Sequence, residues 1–381
     1  MKPTIISLFA GCGGSSLGYK LAGFHELLAV EWDDNAVATF KLNFPDVPVY
    51  HGDIGKLTGT ECMRLAGIKS GELDVLDGSP PCQGFSMAGK RKWDDPSNSL
   101  FKEFARLLKE LQPKVFVMEN VTGMVKGCMK QAYLVIIKTL RDAGYRAKGE
   151  VLNAMYYNVP QSRERVIIIG VREDLGIEPS HPKPMGRPIA AKMIIAGCQA
   201  TRSQRINPWI PAAAAATICK MDASYQTLVL TADDLKEAAI RDTWQSSRVL
   251  KGLEKHKHFG LVRLNADRVS QTITKDAGNT TTGMIHPLEI RKLTIPEIKR
   301  IGSFPDDFKL IGNFHEKWAR IGNSVPPNLM RAIAEHIKNK ILAVQAGPRA
   351  TVPTPPASSP RPRSPARLKA IAANKRSNLL T

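Results

Sequence analysis

Cys82 stands in Gly78-Ser79-Pro80-Pro81-Cys82-Gln83-Gly84-Phe85-Ser86, directly after the apolar run Leu73 to Leu76. A thiol there is presented at the carboxyl end of a strand, on a turn stiffened by two prolines. Open α/β sheets carry their chemistry at that edge. Taken alone, such a residue also reads as a buried structural cysteine, so its neighbours decide. Glu119 and Asn120 follow the strand-like stretch Val115 to Met118. A carboxylate at one strand end beside a thiol at another makes a nucleophile and acid pair. Gln161-Ser162-Arg163-Glu164-Arg165 precedes the run Val166 to Val171. Arginines two apart at a strand start point the same way. They can hold a phosphate or a carbonyl oxygen, and their field favours a thiolate. The plainer alternative is a salt-bridged surface strand.

A second group of residues points to a ligand rather than to a reaction. Phe9-Ala10-Gly11-Cys12-Gly13-Gly14 closes the first apolar stretch. Glycines at a strand-to-helix turn let the backbone approach a ligand closely. Glu31, twenty residues after Gly11, sits where an acid binds ribose hydroxyls in dinucleotide folds. The fingerprint Gly-x-Gly-x-x-Gly fails at Ser16, so the motif points no further than a nucleoside-bearing cofactor. Trp32 either stacks on an adenine face or fills the core. Asp53, in Gly52-Asp53-Ile54, either accepts from an adenine amino group or caps a helix.

These residues need a scaffold, and the pattern around them supplies one. Thr4 to Phe9, Glu26 to Val30, Leu73 to Leu76, Lys114 to Met118 and Arg165 to Val171 read as buried strands. Asp34 to Asn43, Ser99 to Leu111 and Gln131 to Ala143 read as helices between them, and Pro113 marks a helix end. The alternation predicts an α/β fold: a doubly wound, mostly parallel sheet with helices on both faces. From about Pro179 to His286 the rhythm fails and prolines cluster, which predicts a second, smaller, irregular domain. Helical patterns return at Ile295 to Ser303 and Pro327 to Leu342.

The formal net charge is +19, of which Pro348 to Thr381 supplies +7 and the rest of the chain +12. Such an excess on a folded body predicts a polyanionic partner, nucleic acid first. The tail is rich in Pro, Ser, Ala and Arg without apolar period, and is expected to be disordered. Its basic charge either adds weak non-specific affinity for nucleic acid or merely solvates the end. The six cysteines never form Cys-x-x-Cys, which supports neither a disulfide framework nor a zinc site, so no metal is expected. With no eighteen-residue apolar run and no signal-peptide pattern, the chain is expected to be cytoplasmic with reduced thiols.

In their order along the chain, these stretches resemble the DNA cytosine-5 methyltransferase family. Phe9 to Gly14 and Glu31-Trp32-Asp33 resemble its first two cofactor motifs. Pro80-Pro81-Cys82-Gln83 resembles the nucleophile motif, Glu119-Asn120-Val121 the acid motif, and Gln161 to Arg165 the Gln-x-Arg-x-Arg motif. Arg291-Lys292-Leu293-Thr294 with Phe304-Pro305-Asp306-Asp307-Phe308 resembles the penultimate motif, and Gly322-Asn323-Ser324-Val325-Pro326 the last. The resemblance spans residues 3 to about 342 and lapses from about 179 to 266. That is where the family places its variable target-recognition region.

The resemblance implies a compact modification methylase with the Rossmann-like fold of S-adenosylmethionine-dependent methyltransferases. A discontinuous catalytic domain would comprise 1–178 plus 319–345, a target-recognition domain 179–318, and a disordered basic tail 346–381. Cys82 would be the nucleophile, Glu119 the acid, and Arg163 and Arg165 the supporting cations. Phe9, Gly11, Gly13, Glu31, Trp32, Asp53, Ile54, Asp77, Pro80, Leu100, Asn323 and Val325 fall at the family's S-adenosylmethionine positions. Gln83, Ser86, Lys90, Arg91 and Arg165 would contact DNA, with Ser86 to Ser97 closing over a flipped base. Arg202, Arg205, Lys220, Arg241 and Arg248 are unranked candidates for phosphate or base contacts. Thr217-Ile218, Thr227-Leu228 and Thr272-Ile273 compete for a further family position. Implied partners are double-stranded DNA and a cognate restriction endonuclease acting on the same site, with no membrane, the chain working as a monomer. Three other readings stay open: a tRNA-directed cytosine methyltransferase on this core, a catalytically silent DNA-binding module, and a nicotinamide-dependent oxidoreductase. The failed glycine fingerprint and the Pro-Pro-Cys turn count against the last.

Overall fold

The computed structural model describes residues 2–81, 99–125, 130–198, 228–229, 261–275, 283–289 and 292–345. The chain divides into two units, Met1–Ala346 and Gly347–Thr381, and every described residue belongs to the first.

The first unit opens with β1 (Thr4–Leu8), α1 (Gly14–Leu21), β2 (His25–Glu31), α2 (Asp34–Asn43), β3 (Val49–His51) and α3 (Gly59–Ala66). There follow β4 (Val75–Gly78), α4 (Ser99–Leu111), β5 (Val115–Val121), α5 (Lys130–Asp142), β6 (Tyr145–Asn153) and β7 (Glu164–Arg172). One sheet takes all seven strands in the order β3-β2-β1-β4-β5-β7-β6. Pairing is parallel from β3 across to β5, and β7 runs antiparallel to both β5 and β6. The carboxyl ends of β1, β2, β4 and β5 therefore share one edge, and the start of β7 joins them, with Arg165 opposite Val121.

Side chains alternate across a strand, and here the alternation feeds two cores. One face carries Ile6, Leu8, Leu76, Phe116 and Ile168, covered by Phe104 and Leu108 of α4 and Ile136 and Leu140 of α5. The opposite face carries Ile5, Val75, Val117 and Ile167. Tyr19 of α1 covers it, together with Leu329 and Ile333 of a late helix, Pro327–His336. Helices thus lie on both faces of a mostly parallel sheet, the doubly wound architecture expected.

Beyond β7 the described elements are α6 (Ala191–Ile195), β8 (Leu228–Val229), β9 (Leu261–Arg263), β10 (Gly283–Ile285), α7 (Ile295–Ile301), α8 (Phe314–Asn323) and α9 (Pro327–His336). A π-helical turn, Ile337–Leu342, extends α9. β8, β9 and β10 form a small separate sheet. Thr294 and Asn313 start α7 and α8 with capping boxes, each paired with a glutamate three residues on. A third apolar cluster joins Phe40 of α2 and Phe44 just beyond it to Ile273, Leu293, Ile298, Trp318 and Ile321. Among the described residues, no helix is long and apolar enough to cross a membrane.

Candidate active site

At the β2 end of the shared edge, Glu31 organises two loops at once. Its Oε2 accepts from the Gly11 amide at 2.8 Å, and its Oε1 accepts from the amides of Trp32 and Asp33 at 2.9 and 3.0 Å. Asp33 caps α2 through the Ala36 amide at 2.8 Å and pairs with Arg320 of α8 at 2.8 Å. The loop after α8 is tied back to the glycine turn, where Cys12 Sγ and Ser324 Oγ lie 3.2 Å apart. Gly14 must be glycine, because a Cβ would lie 2.5 Å from the Val325 carbonyl oxygen. Phe9 holds a left-handed φ of 57°, a conformation that non-glycine residues keep only when their surroundings fix it.

The other residues expected at this end distribute as follows. Trp32 is 77% exposed, so it offers its ring to solvent rather than filling the core. Asp53 accepts from the Gly55 amide at 2.9 Å, the capping role open to it from sequence. Ile54 is buried below it, and Leu100 packs against the same core from the first turn of α4. Asn323 ends α8 with its side chain exposed, while Val325 is buried.

Asp77 lies under α1 on β4, opposite Ser7 of β1 in register. Burial pushes its carboxyl up to about 8; the nearby carboxylates of Glu26 and Glu119 add to the rise, and hydrogen bonds from Ser15 and Tyr19 oppose it. Tyr19 donates to Asp77 Oδ1 at 3.4 Å. Burial likewise raises Glu26 to about 7, although Ser16 donates to it at 2.8 Å.

At the β5 end, Arg165 Nε meets Glu119 Oε1 at 2.8 Å, with the two side chains 14% and 11% exposed. The strand register makes this pair. Val121 faces Arg165, so Glu119, two residues back on the same face, is its diagonal neighbour. Asn120, on the opposite face, donates from Nδ2 to the Pro80 carbonyl at 3.1 Å, and its Oδ1 accepts from the Val121 amide at 2.8 Å. The acid strand therefore anchors the Pro80-Pro81 turn directly. Cys82, Gln83, Ser86, Lys90 and Arg91 lie outside the described residues, as do Arg202, Arg205, Lys220, Arg241, Arg248, Thr217-Ile218 and the tail 346–381.

Arg163 is 3% exposed. Nη1 donates to the Ile273 carbonyl at 3.0 Å and Nη2 to that of Gly322 at 2.9 Å. Burial, then the neighbouring Arg165, pull its proton affinity well below the usual arginine range, against a smaller opposite pull from Glu119. Its terminal nitrogens are thus committed to backbone carbonyls.

Several partners escaped the sequence reading. Gln161 Oε1 accepts from the Ile273 amide at 3.0 Å, and Thr272 Oγ1 donates to the Ser162 carbonyl at 2.7 Å. Arg320, Ser324 and Glu26 also act at a distance in sequence, where spacing carries no signal.

The family of C-5 cytosine-specific DNA methylases matches residues 3–339. The Type II methyltransferase M1.HphI of Haemophilus parahaemolyticus is 37% identical over 354 residues, covering 88% of this chain and 87% of the relative. M.Eco47II of Escherichia coli is 34% identical over 348 residues, covering 89% and 80%. Among solved structures, a DNA modification methyltransferase encoded within an E. coli prophage superposes with a TM-score of 0.64 at 24% identity, covering 89% of this chain and 99% of that one. The S. pombe Dnmt2 methyltransferase superposes with a TM-score of 0.59 at 18% identity, covering 89% and 99%. At these identities the likeness is one of fold. The sequence matches run through both ends of the shared edge, from the glycine turn to the loop after α8, and on their strength the chain belongs to the C-5 cytosine-specific DNA methylase family.

Proposed function

We propose that this chain transfers a methyl group from S-adenosylmethionine to carbon 5 of a cytosine flipped out of a specific duplex sequence, through a covalent adduct on Cys82. The observation that carries this reading is the largely sheltered Glu119–Arg165 pair, on the strand that is fastened through Asn120 to the turn leading to Cys82.

The donor set suits the cofactor. Phe9 and the exposed Trp32 offer aromatic faces for a purine, and Glu31 offers a carboxylate for a ribose diol in an orientation its amide donors fix. The cofactor's part is an electrophilic methyl group carried on a sulfonium. The remaining work falls to the chain. The Cys82 thiolate adds to carbon 6 of the ring, which makes carbon 5 nucleophilic. Glu119 hydrogen-bonds ring nitrogen 3 and the exocyclic amine and neutralises the charge that builds there. Arg165 fixes the Glu119 carboxyl and supplies positive charge near the thiolate. Release follows when carbon 5 loses its proton and the bond from carbon 6 to sulfur breaks, returning the thiolate.

Flipping the base costs on the order of a few kcal/mol, offset by contacts to phosphates and neighbouring bases. We assign the closing loop to Ser86–Ser97, with Lys90 and Arg91, and sequence reading to 179–318, inserted between the catalytic segments 1–178 and 319–345. The relatives' designation as Type II methyltransferases supports a role in shielding a site from a restriction endonuclease.

The test incubates the purified chain and Cys82→Ala with radiolabelled S-adenosylmethionine, against unmodified bacterial DNA and against tRNA, with bisulfite sequencing of the DNA. Label in DNA at one short sequence context, lost by more than about 10³-fold in the variant, is the expected result. Label in tRNA alone would replace the substrate. No transfer to either, despite cofactor binding, would leave a silent binding module.

A further inference from the structure

Residues 270–274 lie within the stretch assigned above to sequence reading, and they run beside the residues that lead into β7. Ser270 N donates to the Pro160 carbonyl at 3.1 Å, and Ser162 N to that of Ser270 at 2.7 Å. Gln161 and Thr272 add the side-chain bonds already described. The far side of the segment rests on α8. Trp318 Nε1 donates to the Thr274 carbonyl at 3.0 Å, and a Cβ on Gly322 would lie 2.7 Å from the Thr274 carbonyl carbon and oxygen. Only glycine lets these backbones meet so closely.

Arg163 closes this junction. One guanidinium arm holds the Ile273 carbonyl and the other holds Gly322. Gly322 lies in the last turn of α8, beside Asn323 and just before the Ser324-Val325 loop, which is pinned to the glycine turn through Ser324 and Cys12. A planar fork can hold two carbonyls at a fixed spacing, whereas a lysine ammonium is a point charge on a flexible stem. Among the described residues its Nε has no hydrogen-bond partner. Two residues on, Arg165 serves the acid. The two arginines thus divide the work, one toward the reacting ring and one toward the frame.

We propose that Arg163 is a positioning residue that couples the two ligand sites. It ties a segment of the DNA-reading stretch to the loop that seats the cofactor, so occupancy of one site is felt at the other. The proposal rests on the cofactor and DNA assignments made above. Because coupling between binding sites is reciprocal, it is read from either side.

The full-length chain and Arg163→Lys are titrated calorimetrically with S-adenosylhomocysteine, alone and with saturating unmodified bacterial DNA. In the wild type, DNA is expected to change the dissociation constant about tenfold. In Arg163→Lys the change should shrink to less than about twofold, with the melting transition still cooperative. An undiminished ratio in the variant overturns the proposal, and so does a wild type whose affinity ignores DNA. Should Arg163→Lys fail to fold, hydrogen exchange on the wild type decides. S-adenosylhomocysteine alone should slow exchange at the Ile273 and Ser162 amides as well as at Gly11, and protection confined to Gly11 and its neighbours overturns the coupling. A wild type that binds no S-adenosylhomocysteine at all overturns the cofactor reading itself, and the coupling with it, so the two failures look different.

Discussion

Glu31 and Glu119 are two carboxylates at the same edge of the same sheet, 8% and 9% exposed, and they are held by opposite means. Glu31 takes its bonds from three backbone amides in the loops on either side of it. Among the described residues Glu119 takes its bond from the guanidinium of Arg165 on the neighbouring strand. Amide donors are neutral and locked to the chain, so they fix an oxygen in place and suit a group that only binds. A guanidinium carries a full charge on a side chain and accommodates a carboxyl whose hydrogen bonding changes during reaction. On the proposed mechanism, the difference separates a binding half of the edge, built backbone to backbone, from a reacting half built of side chains.

Exchanging each carboxylate for its amide tests that division most severely. Glu119→Gln is expected to lower kcat by about 10²–10³-fold, with little change in KM for S-adenosylmethionine. Glu31→Gln is expected to raise that KM about tenfold or more and to leave kcat within a few-fold. Steady-state kinetics with each substrate varied in turn separates the two effects. If Glu31→Gln lost mainly kcat, the two halves would not be distinct.

A methyl group sharpens the same contrast. Gly14 faces the Val325 carbonyl oxygen, 2.5 Å from where a Cβ would stand. That neighbour is backbone and cannot rotate away, so Gly14→Ala should destabilise the chain by about 1–3 kcal/mol. Thermal melting would show the loss. S-adenosylhomocysteine should recover part of it, since a ligand that binds only the folded form stabilises that form. Wild-type melting in Gly14→Ala would mean that the two loops are not in contact in solution.

The sheet's central strands were legible because their apolar runs are continuous and end at recognisable turns. Leu73 to Leu76 and Arg165 to Val171 fall within a few residues of β4 and β7. β6 was not read as a strand, because Tyr145–Asn153 mixes Arg146, Lys148 and Glu150 into an edge position where charge is tolerated. The antiparallel direction of β7 left no local mark. α1 escaped too, its eight residues holding two glycines and two serines. In the site, residues at strand ends were legible one by one, as with Glu31 and Glu119. Their tertiary tethers were not: Asp33 to Arg320, Cys12 to Ser324 and Arg163 to Gly322 each join residues more than a hundred apart. Nothing in local spacing encodes such a contact.

Between the two carboxylates lies a third case, and it yields the smallest expected effect. Among the described residues Asp77 takes no bond from an amide or a guanidinium, only from the hydroxyls of Tyr19 and Ser15. Burial, with Glu26 and Glu119 nearby, lifts its carboxyl to about 8, and burial lifts Glu26 to about 7. In the unfolded chain these groups titrate near 3.9 and 4.3, roughly. The folded form therefore binds protons that the unfolded form has released across the interval between those values. The stability they contribute is complete below about pH 4 and falls as pH rises through 7 and 8. Between pH 5.5 and 8.5, roughly, the wild-type melting temperature should decline more steeply than that of Asp77→Asn. At the alkaline end the variant should melt a few °C higher, on the order of what 1 kcal/mol produces in a chain of this size. Glu26→Gln should flatten the same slope at lower pH. Parallel profiles for wild type and both variants would mean that these carboxyls ionise as exposed ones do, and that the centre of the edge is wetter than its two ends.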